Sequence, residues 1–281
     1  MNNINDNKLI PASTVLIIRN CASGIEVFMV VRHHQIDFAS GALVFPGGKV
    51  DNNDYDEKLD NYVSTKNDDK KLLPFKIAAI RESFEEANVL FANNKNEKKN
   101  INSKRLLEFK NWREKFNNKN GSMFNFARDE NITFSTDNLI PFAHWITPEM
   151  MPKRFDTRFY IAIAPDGHEG LHDGTESVDS IWINPKDALN DCYERKRNII
   201  FPTRLNLEKL SQSKSVDEAI NNAKKDNIIT VTPIIEKDKD GSFLTIPKDA
   251  GYGDIREPLN EITTPGAVSY THLTLPTKRI V

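Results

Sequence analysis

The sequence predicts an α/β (α+β) fold: an α/β/α sandwich built on a mixed sheet, with a helical insertion near residues 92–135. Three observations predict it. Strand-sized apolar runs recur along the chain, among them "STVLIIR" (13–19), "IEVFMVVR" (25–32) and "RFYIAIA" (158–164). One strong amphipathic helix stands at about 75–91. Strands and helices are mixed without regular βαβ alternation, and no internal repeat occurs. With 281 residues, 38% hydrophobic, the chain is long enough for one core with elaborations. We read residues 1–265 as a single domain and the insertion as part of it.

Taken in order, the first two runs are joined by "NCASG", a hairpin loop. "ASGALVFPGGKV" (39–50) is a short apolar run ending in Pro46-Gly47-Gly48. Residues 51–72 are rich in Asn, Asp and Lys and read as an exposed loop with room for a helical turn. After the helix at 75–91, the tract 93–104 is polar and reads as a solvated connection. Helical patterning returns at 103–117 and 122–129. "LIPFAHWITP" (139–148), "RFYIAIA" and "SVDSIWIN" (177–184) are strands. Pro185 suits the first turn of a helix, "PKDALNDCYER". Helices follow at 202–212 and 216–225, then a strand pair about an Asp-Gly turn within 229–247.

Composition narrows the classes of function. The net charge of −2 gives no overall basic field for nucleic acid. Two cysteines, Cys21 and Cys192, lie far apart and outside any metal-ligand spacing, so the chain reads as reduced, intracellular and cytoplasmic. No signal-peptide pattern opens it, and its longest apolar runs are too short to span a bilayer.

The helix carries the chemistry. On a helical wheel Ile77, Ile80, Phe84, Ala87 and Phe91 form one apolar stripe, while Glu82, Glu85 and Glu86 lie roughly opposite. Like charges at i, i+4 cost a helix stability, so the trio needs either solvation or a cation. Arg81 stands four residues from Glu85 and can hold its carboxylate. The stripe is expected to dock on the sheet and turn a rigid acidic face outward. A Gly-Gly turn precedes the helix, where backbone can approach a phosphate or a metal. Hard divalent cations take oxygen ligands, combining carboxylates with substrate phosphates.

"GGKV…RESFEEANV" resembles the signature of the Nudix hydrolases, G-x5-E-x7-R-E-U-x-E-E-x-G-U with U apolar. Gly48, Arg81, Glu82, Glu85, Glu86 and Val89 match it. Gly48 and Arg81 are 33 positions apart where the signature has 14, so about 19 residues are inserted. Counting back from Arg81 puts Leu73 where the signature has its first Glu, with Glu57 as a substitute candidate. Ser83 stands for an apolar residue and Asn88 for Gly, and Asn tolerates a left-handed helix cap. The long insertion, with "HWITPEMMPKRFDTRFYIA" (144–162), "HDGTESVDSIWINPKDAL" (172–189) and "FPTRLNLEKL" (201–210), resembles an acyl-CoA diphosphatase branch of that family, which includes a peroxisomal enzyme and bacterial relatives.

The resemblance implies a Mg²⁺- or Mn²⁺-dependent hydrolase of a small diphosphate linked to another moiety. CoA or acyl-CoA would give 3′,5′-ADP and (acyl-)4′-phosphopantetheine. ADP-ribose, dinucleotides and nucleotide sugars are the rival substrates, and a catalytically silent nucleotide sensor is the rival of another class. It further implies metal ligation by Glu82, Glu85, Glu86 and the Gly48 carbonyl, with Glu86 or Glu176 taking the proton of water and Arg81 orienting Glu85. Arg32, His33 and His34 are either substrate-facing or an ordinary polar strand end. Arg154 and Arg158 either clamp phosphate or pair with Asp156. Glu176, in the turn "DGTES", is either an added acid of the site or a solvated carboxylate. "ERKRN" (194–198) reads as a solvated helix end. The stretch 266–281, poor in the charged residues that fill the preceding chain, reads as a non-native or disordered tail.

Overall fold

The structure is a computed structural model and describes residues 8–33, 41–65, 69–95, 97 and 99–259. The expected tail at 266–281 and His34 lie outside the described residues. β1 (Leu9–Cys21) and β2 (Gly24–Arg32) form a tight antiparallel hairpin with Cys21 opposite Gly24. β3 (Leu43–Val44) and β4 (Gly47–Lys49) follow, then 3₁₀ turns at Asn52–Tyr55 and Glu57–Asn61. Next come α1 (Leu73–Ala87), β5 (Ala92–Asn94), α2 (Ser103–Glu108), α3 (Lys110–Asn117), α4 (Met123–Asp129) and β6 (Ile132–Phe134). β7 (Ile140–Ile146), β8 (Arg154–Ile163) and β9 (Ser177–Ile183) return to the sheet. They are followed by α5 (Pro185–Tyr193), α6 (Phe201–Leu210), α7 (Val216–Lys225), β10 (Thr230–Val231), β11 (Ile234–Asp238), β12 (Gly241–Thr245) and β13 (Arg256–Pro258).

The main sheet is mixed, in the order β10-β7-β8-β1-β2-β3, with β4 added to β1 and β9 to β2. β1 is buried on both faces, which is why it reads as a continuous apolar run rather than an alternation. Val15 and Ile17 enter one core with α1, while Leu16 and Ile18 enter a second core with α5, α6 and α7. These two cores are the two helical layers of the sandwich. β11, β12 and β13 make a small separate sheet whose Leu244 closes the second core.

Four expectations shift. The helix expected at 75–91 ends at Ala87, because Asn88 takes a left-handed φ of 51° as the cap. The single helix expected at 103–117 divides at Phe109, whose side chain is buried in the core. The tract 93–104 is not simply solvated, since Ala92–Asn94 pairs with β6. The tract 51–72 carries two 3₁₀ turns, with Asp54 and Leu59 buried. Phe84 of α1 stacks on Phe126 of α4 at 5.5 Å, and Phe109 and Phe116 pack edge-on against the same ring. The insertion thus shares its aromatic core with the glutamate helix. Ser83, at a signature position normally apolar, is fully buried and donates to the Ala79 carbonyl at 2.7 Å, so its hydroxyl is satisfied within the helix.

Candidate active site

β4 runs antiparallel to β1, with Ser13 opposite Gly48, and passes directly over α1. A Cβ on Gly48 would lie 2.4 Å from Oε1 of Glu82 and would have to displace that carboxylate, and a Cβ on Gly47 would lie 2.4 Å from the Ser13 carbonyl oxygen, backbone that cannot move aside, so glycine is needed where the strand passes. The Gly47 N–H donates to Oε2 of Glu86 at 2.9 Å. The acidic face therefore does not turn outward as expected. Glu82, Glu85 and Glu86 are only 5%, 4% and 4% exposed, because the Gly-Gly strand lies against Glu82 and Glu86 while Arg81 and Lys119 lie against Glu85.

Arg81 lies among these acids. Its Nη1 donates to Glu82 at 2.8 Å and to Glu85 at 2.9 Å, and its Nη2 donates to the Lys49 carbonyl at 2.8 Å. The other side of the guanidinium meets Asp54. Sequence reasoning missed Asp54. Glu57, the proposed substitute for the first signature acid, is exposed on the following 3₁₀ turn, and Leu73 is the first residue of α1. The legible signal was "DNND": Asp51 and Asp54 form a capping box that fixes the turn and aims Asp54 at Arg81.

Charges this crowded and this dry shift their titration. Burial pushes Glu82 up to about 7, against the pull of Arg81. Burial and then the Glu82 charge raise Glu86 well above the carboxylate range, against the Gly47 N–H and Arg32. Burial raises Asp54 in spite of Arg81. Burial draws Arg81 down, but Glu82, Asp54 and Glu85 outweigh it and raise it, so it stays cationic.

Glu176 joins the cluster at its open side. Asp173 accepts from the N–H groups of Glu176 at 3.0 Å and Ser177 at 2.9 Å, which pins the turn, and the Glu176 carbonyl accepts from the His33 N–H at 2.9 Å. Lys119, from the loop after α3, bridges Glu176 at 3.3 Å and Glu85 at 3.4 Å. It was also missed, since nothing in "NNKNGS" marks it. Arg32 follows a bulge in the β2–β9 pairing and lines the same cavity, its Nε buried with no hydrogen-bond partner among the described residues.

Arg154 and Arg158 are not brought to this site. On β8, Phe155, Thr157 and Phe159 line the cavity, and the alternate residues point to the other face of the sheet. There Arg154 donates to the Thr147 carbonyl at 3.0 Å, and Arg158 pairs with Asp156 at 3.8 Å over the Phe75 ring. The ion-pair reading holds for Arg158, and the phosphate clamp is set aside for both arginines.

The cavity measures about 760 Å³. Its polar part, along β4 and α1, holds Gly47, Gly48, Glu82, Arg32, Lys119 and Glu176. Its apolar part, along β7, β8 and the C-terminal sheet, holds Trp145, Met151, Phe155, Phe159, Leu244 and Leu259. Among the described residues no three His, Cys, Asp or Glu side chains close into a complete metal cage. The donor set still fits a hard divalent cation, which is commonly held by one or two carboxylates together with substrate phosphates. Glu82 and Glu86, both raised first by burial and further by a neighbouring carboxylate, are what such a cation would relieve. No helix among the described residues is long and apolar enough to cross a membrane.

Comparison with known proteins bears on the family and the fold. The family model of the NUDT19 Nudix domain matches residues 65–210, a span that contains the glutamate helix and Glu176. The chain is 32% identical over 219 residues to "Putative nudix hydrolase 7" of Caenorhabditis elegans, covering 76% of this chain and 65% of that one. It thus spans just under two thirds of that relative's length. It is 25% identical over 278 residues to "Acyl-coenzyme A diphosphatase NUDT19" of Xenopus laevis, covering 83% and 73%. A crystal structure of a NUDIX hydrolase from Alicyclobacillus acidocaldarius shares the fold with a TM-score of 0.62, at 23% identity over 76% of this chain and 96% of that one. With the signature residues gathered around Gly48 and a family model matching more than half of its length, the chain belongs to the Nudix hydrolase family.

Proposed function

We propose that the protein is a Mg²⁺- or Mn²⁺-dependent diphosphatase that cleaves CoA or acyl-CoA to 3′,5′-ADP and (acyl-)4′-phosphopantetheine. The observation that carries this reading is the two-part cavity: a carboxylate cluster opening directly onto a wide apolar chamber. A diphosphate joined to a long pantetheine arm with an acyl end matches that division, whereas ADP-ribose and dinucleotides are polar at both ends. The Xenopus relative's name, an acyl-coenzyme A diphosphatase, supports the same substrate class.

In this reading Glu82, Glu85, Glu86 and the Gly48 carbonyl would hold the cation. When bound, a divalent metal neutralises diphosphate charge and lowers the pKa of a coordinated water. The chain's own residues do the rest. Arg81 fixes Glu82 and Glu85 through Nη1, and Asp54 fixes Arg81 from behind. Arg32, with its unpartnered Nε at the cavity, receives a phosphate oxygen. Glu86 or Glu176 would accept the proton of the attacking water, whose oxygen bonds to one phosphorus as the bond from that phosphorus to the bridging oxygen breaks, and the leaving phosphate carries the bridging oxygen away and takes up a proton from solvent. The apolar walls exclude water from the acyl arm.

The test is kcat/KM for CoA, acetyl-CoA, a medium-chain acyl-CoA, dephospho-CoA, ADP-ribose and NADH at fixed Mg²⁺. Preference for the CoA compounds is the expected result. Preference for ADP-ribose or NADH would overturn the CoA reading, and tight nucleotide binding without hydrolysis would replace it with a silent sensor.

A further inference from the structure

Lys119 is absent from the family signature, yet it reaches into the acid cluster. α3 ends in a Schellman motif: the Asn120 N–H donates to the Lys115 carbonyl at 2.8 Å and the Lys119 N–H to that of Phe116 at 2.7 Å. In that motif the residue at Lys119 must be left-handed, and its φ is 58°. Glycine or asparagine takes this conformation with less strain than lysine does. The strained position is therefore occupied by a long cationic side chain, and the backbone turn aims that side chain back at α1.

Its Nζ lies 3.4 Å from Oε2 of Glu85 and 3.3 Å from Oε1 of Glu176. These two carboxylates come from separate elements, α1 and the turn before β9, and the ammonium joins them. We infer that Lys119 is a built-in counter-cation: it holds Glu85 and Glu176 together in the metal-free protein, yields them to a divalent cation, and then turns its ammonium to the diphosphate. The inference rests on the diphosphatase reading above. Two features suit displacement. The side chain is 55% exposed, so its ion pairs are screened and individually weak. It also lines the main cavity beside Glu82 and Arg32, so a freed ammonium stays within reach of a bound phosphate. Burial lowers the Lys119 pKa, but Glu85, Glu82 and Glu176 more than offset it, so the group remains charged while it waits.

The experiment is calorimetric titration of the full chain with MnCl₂ alone, without substrate, for wild type, Lys119→Asn and Lys119→Arg. Asparagine keeps the left-handed turn and removes the charge, while arginine keeps the charge. The expected result is Mn²⁺ binding on the order of tenfold tighter in Lys119→Asn, with Lys119→Arg no tighter than wild type. Equal or weaker Mn²⁺ binding by Lys119→Asn would overturn the inference and leave the diphosphatase reading intact. Failure of every variant to bind Mn²⁺ would overturn both.

Discussion

The carboxylate of Asp54 accepts three hydrogen bonds from Arg81, from Nε at 3.1 Å and 3.3 Å and from Nη2 at 2.9 Å, with its side chain wholly shielded from solvent. This fork fixes the guanidinium from the side opposite Glu82 and Glu85. Truncating Asp54 to alanine would leave Nε of Arg81 buried without its acceptor while Glu82 and Glu85 still balance the charge, which typically costs about 1–3 kcal/mol. We expect a correspondingly lower urea midpoint for Asp54→Ala and a smaller loss for Asp54→Asn, which keeps one acceptor. An unchanged midpoint for the alanine variant would show that water replaces the carboxylate.

Glu86→Gln should separate function from folding. Glutamine keeps an oxygen for the Gly47 N–H and removes a charge that burial and Glu82 already oppose. Activity should fall on the order of 100-fold or more, because ion coordination needs the charge. The metal-free melting temperature should hold or rise. Turnover near wild type at saturating Mg²⁺ would remove Glu86 from the site.

The raised Glu82 predicts a pH dependence of the metal-free fold. Its folded pKa of about 7 exceeds the ordinary 4.5, so between those values the folded state binds more protons than the unfolded chain. Its stabilising contribution is complete below about pH 4.5 and is lost as pH rises through 7. Denaturant midpoints measured across that window should fall less in Glu82→Gln than in wild type. Adding Mg²⁺ should reverse the trend, since metal favours the ionised carboxylate. Identical pH profiles for the two proteins would contradict this.

The apolar chamber predicts a chain-length effect. Leu244, from β12, lines the cavity and is 6% exposed. Leu244→Trp should lower kcat/KM for a medium-chain acyl-CoA about tenfold relative to CoA itself, which serves as the internal control. An equal fall for both substrates would put the acyl arm elsewhere.

How legible this was differs by element. The sheet strands and the glutamate helix were written locally, in apolar runs, but the helix stops at its Asn88 cap, short of the expected 91. The wheel separated apolar from acidic positions correctly but misjudged their exposure, because burial of Glu82 depends on a glycine 34 positions earlier. Asp54 and Lys119 escaped for the same reason: each acts through contacts made across the insertion, in stretches whose composition reads as solvated loop. The parity of β8 that turns Arg154 and Arg158 away from the cavity was available in principle, but required knowing which face the cavity occupies.

The parallel pairing of β1 with β8 has a kinetic consequence. Ten successive residue pairs join them, from Leu9 with Arg154 to Ile18 with Ile163, across a separation of 145 positions. A parallel ladder cannot be closed by a turn, and such distant partners make loop closure slow relative to hairpins and helices. During synthesis the β1–β2 hairpin would emerge early and wait, with an apolar edge unsatisfied, until the far strand left the ribosome. The intervening segment, which bears the acids and the aromatic insertion, must then collapse on itself or be shielded by a chaperone. The same long-range pairing that brings Phe155, Thr157 and Phe159 to the cavity wall thus makes the nascent chain vulnerable to aggregation.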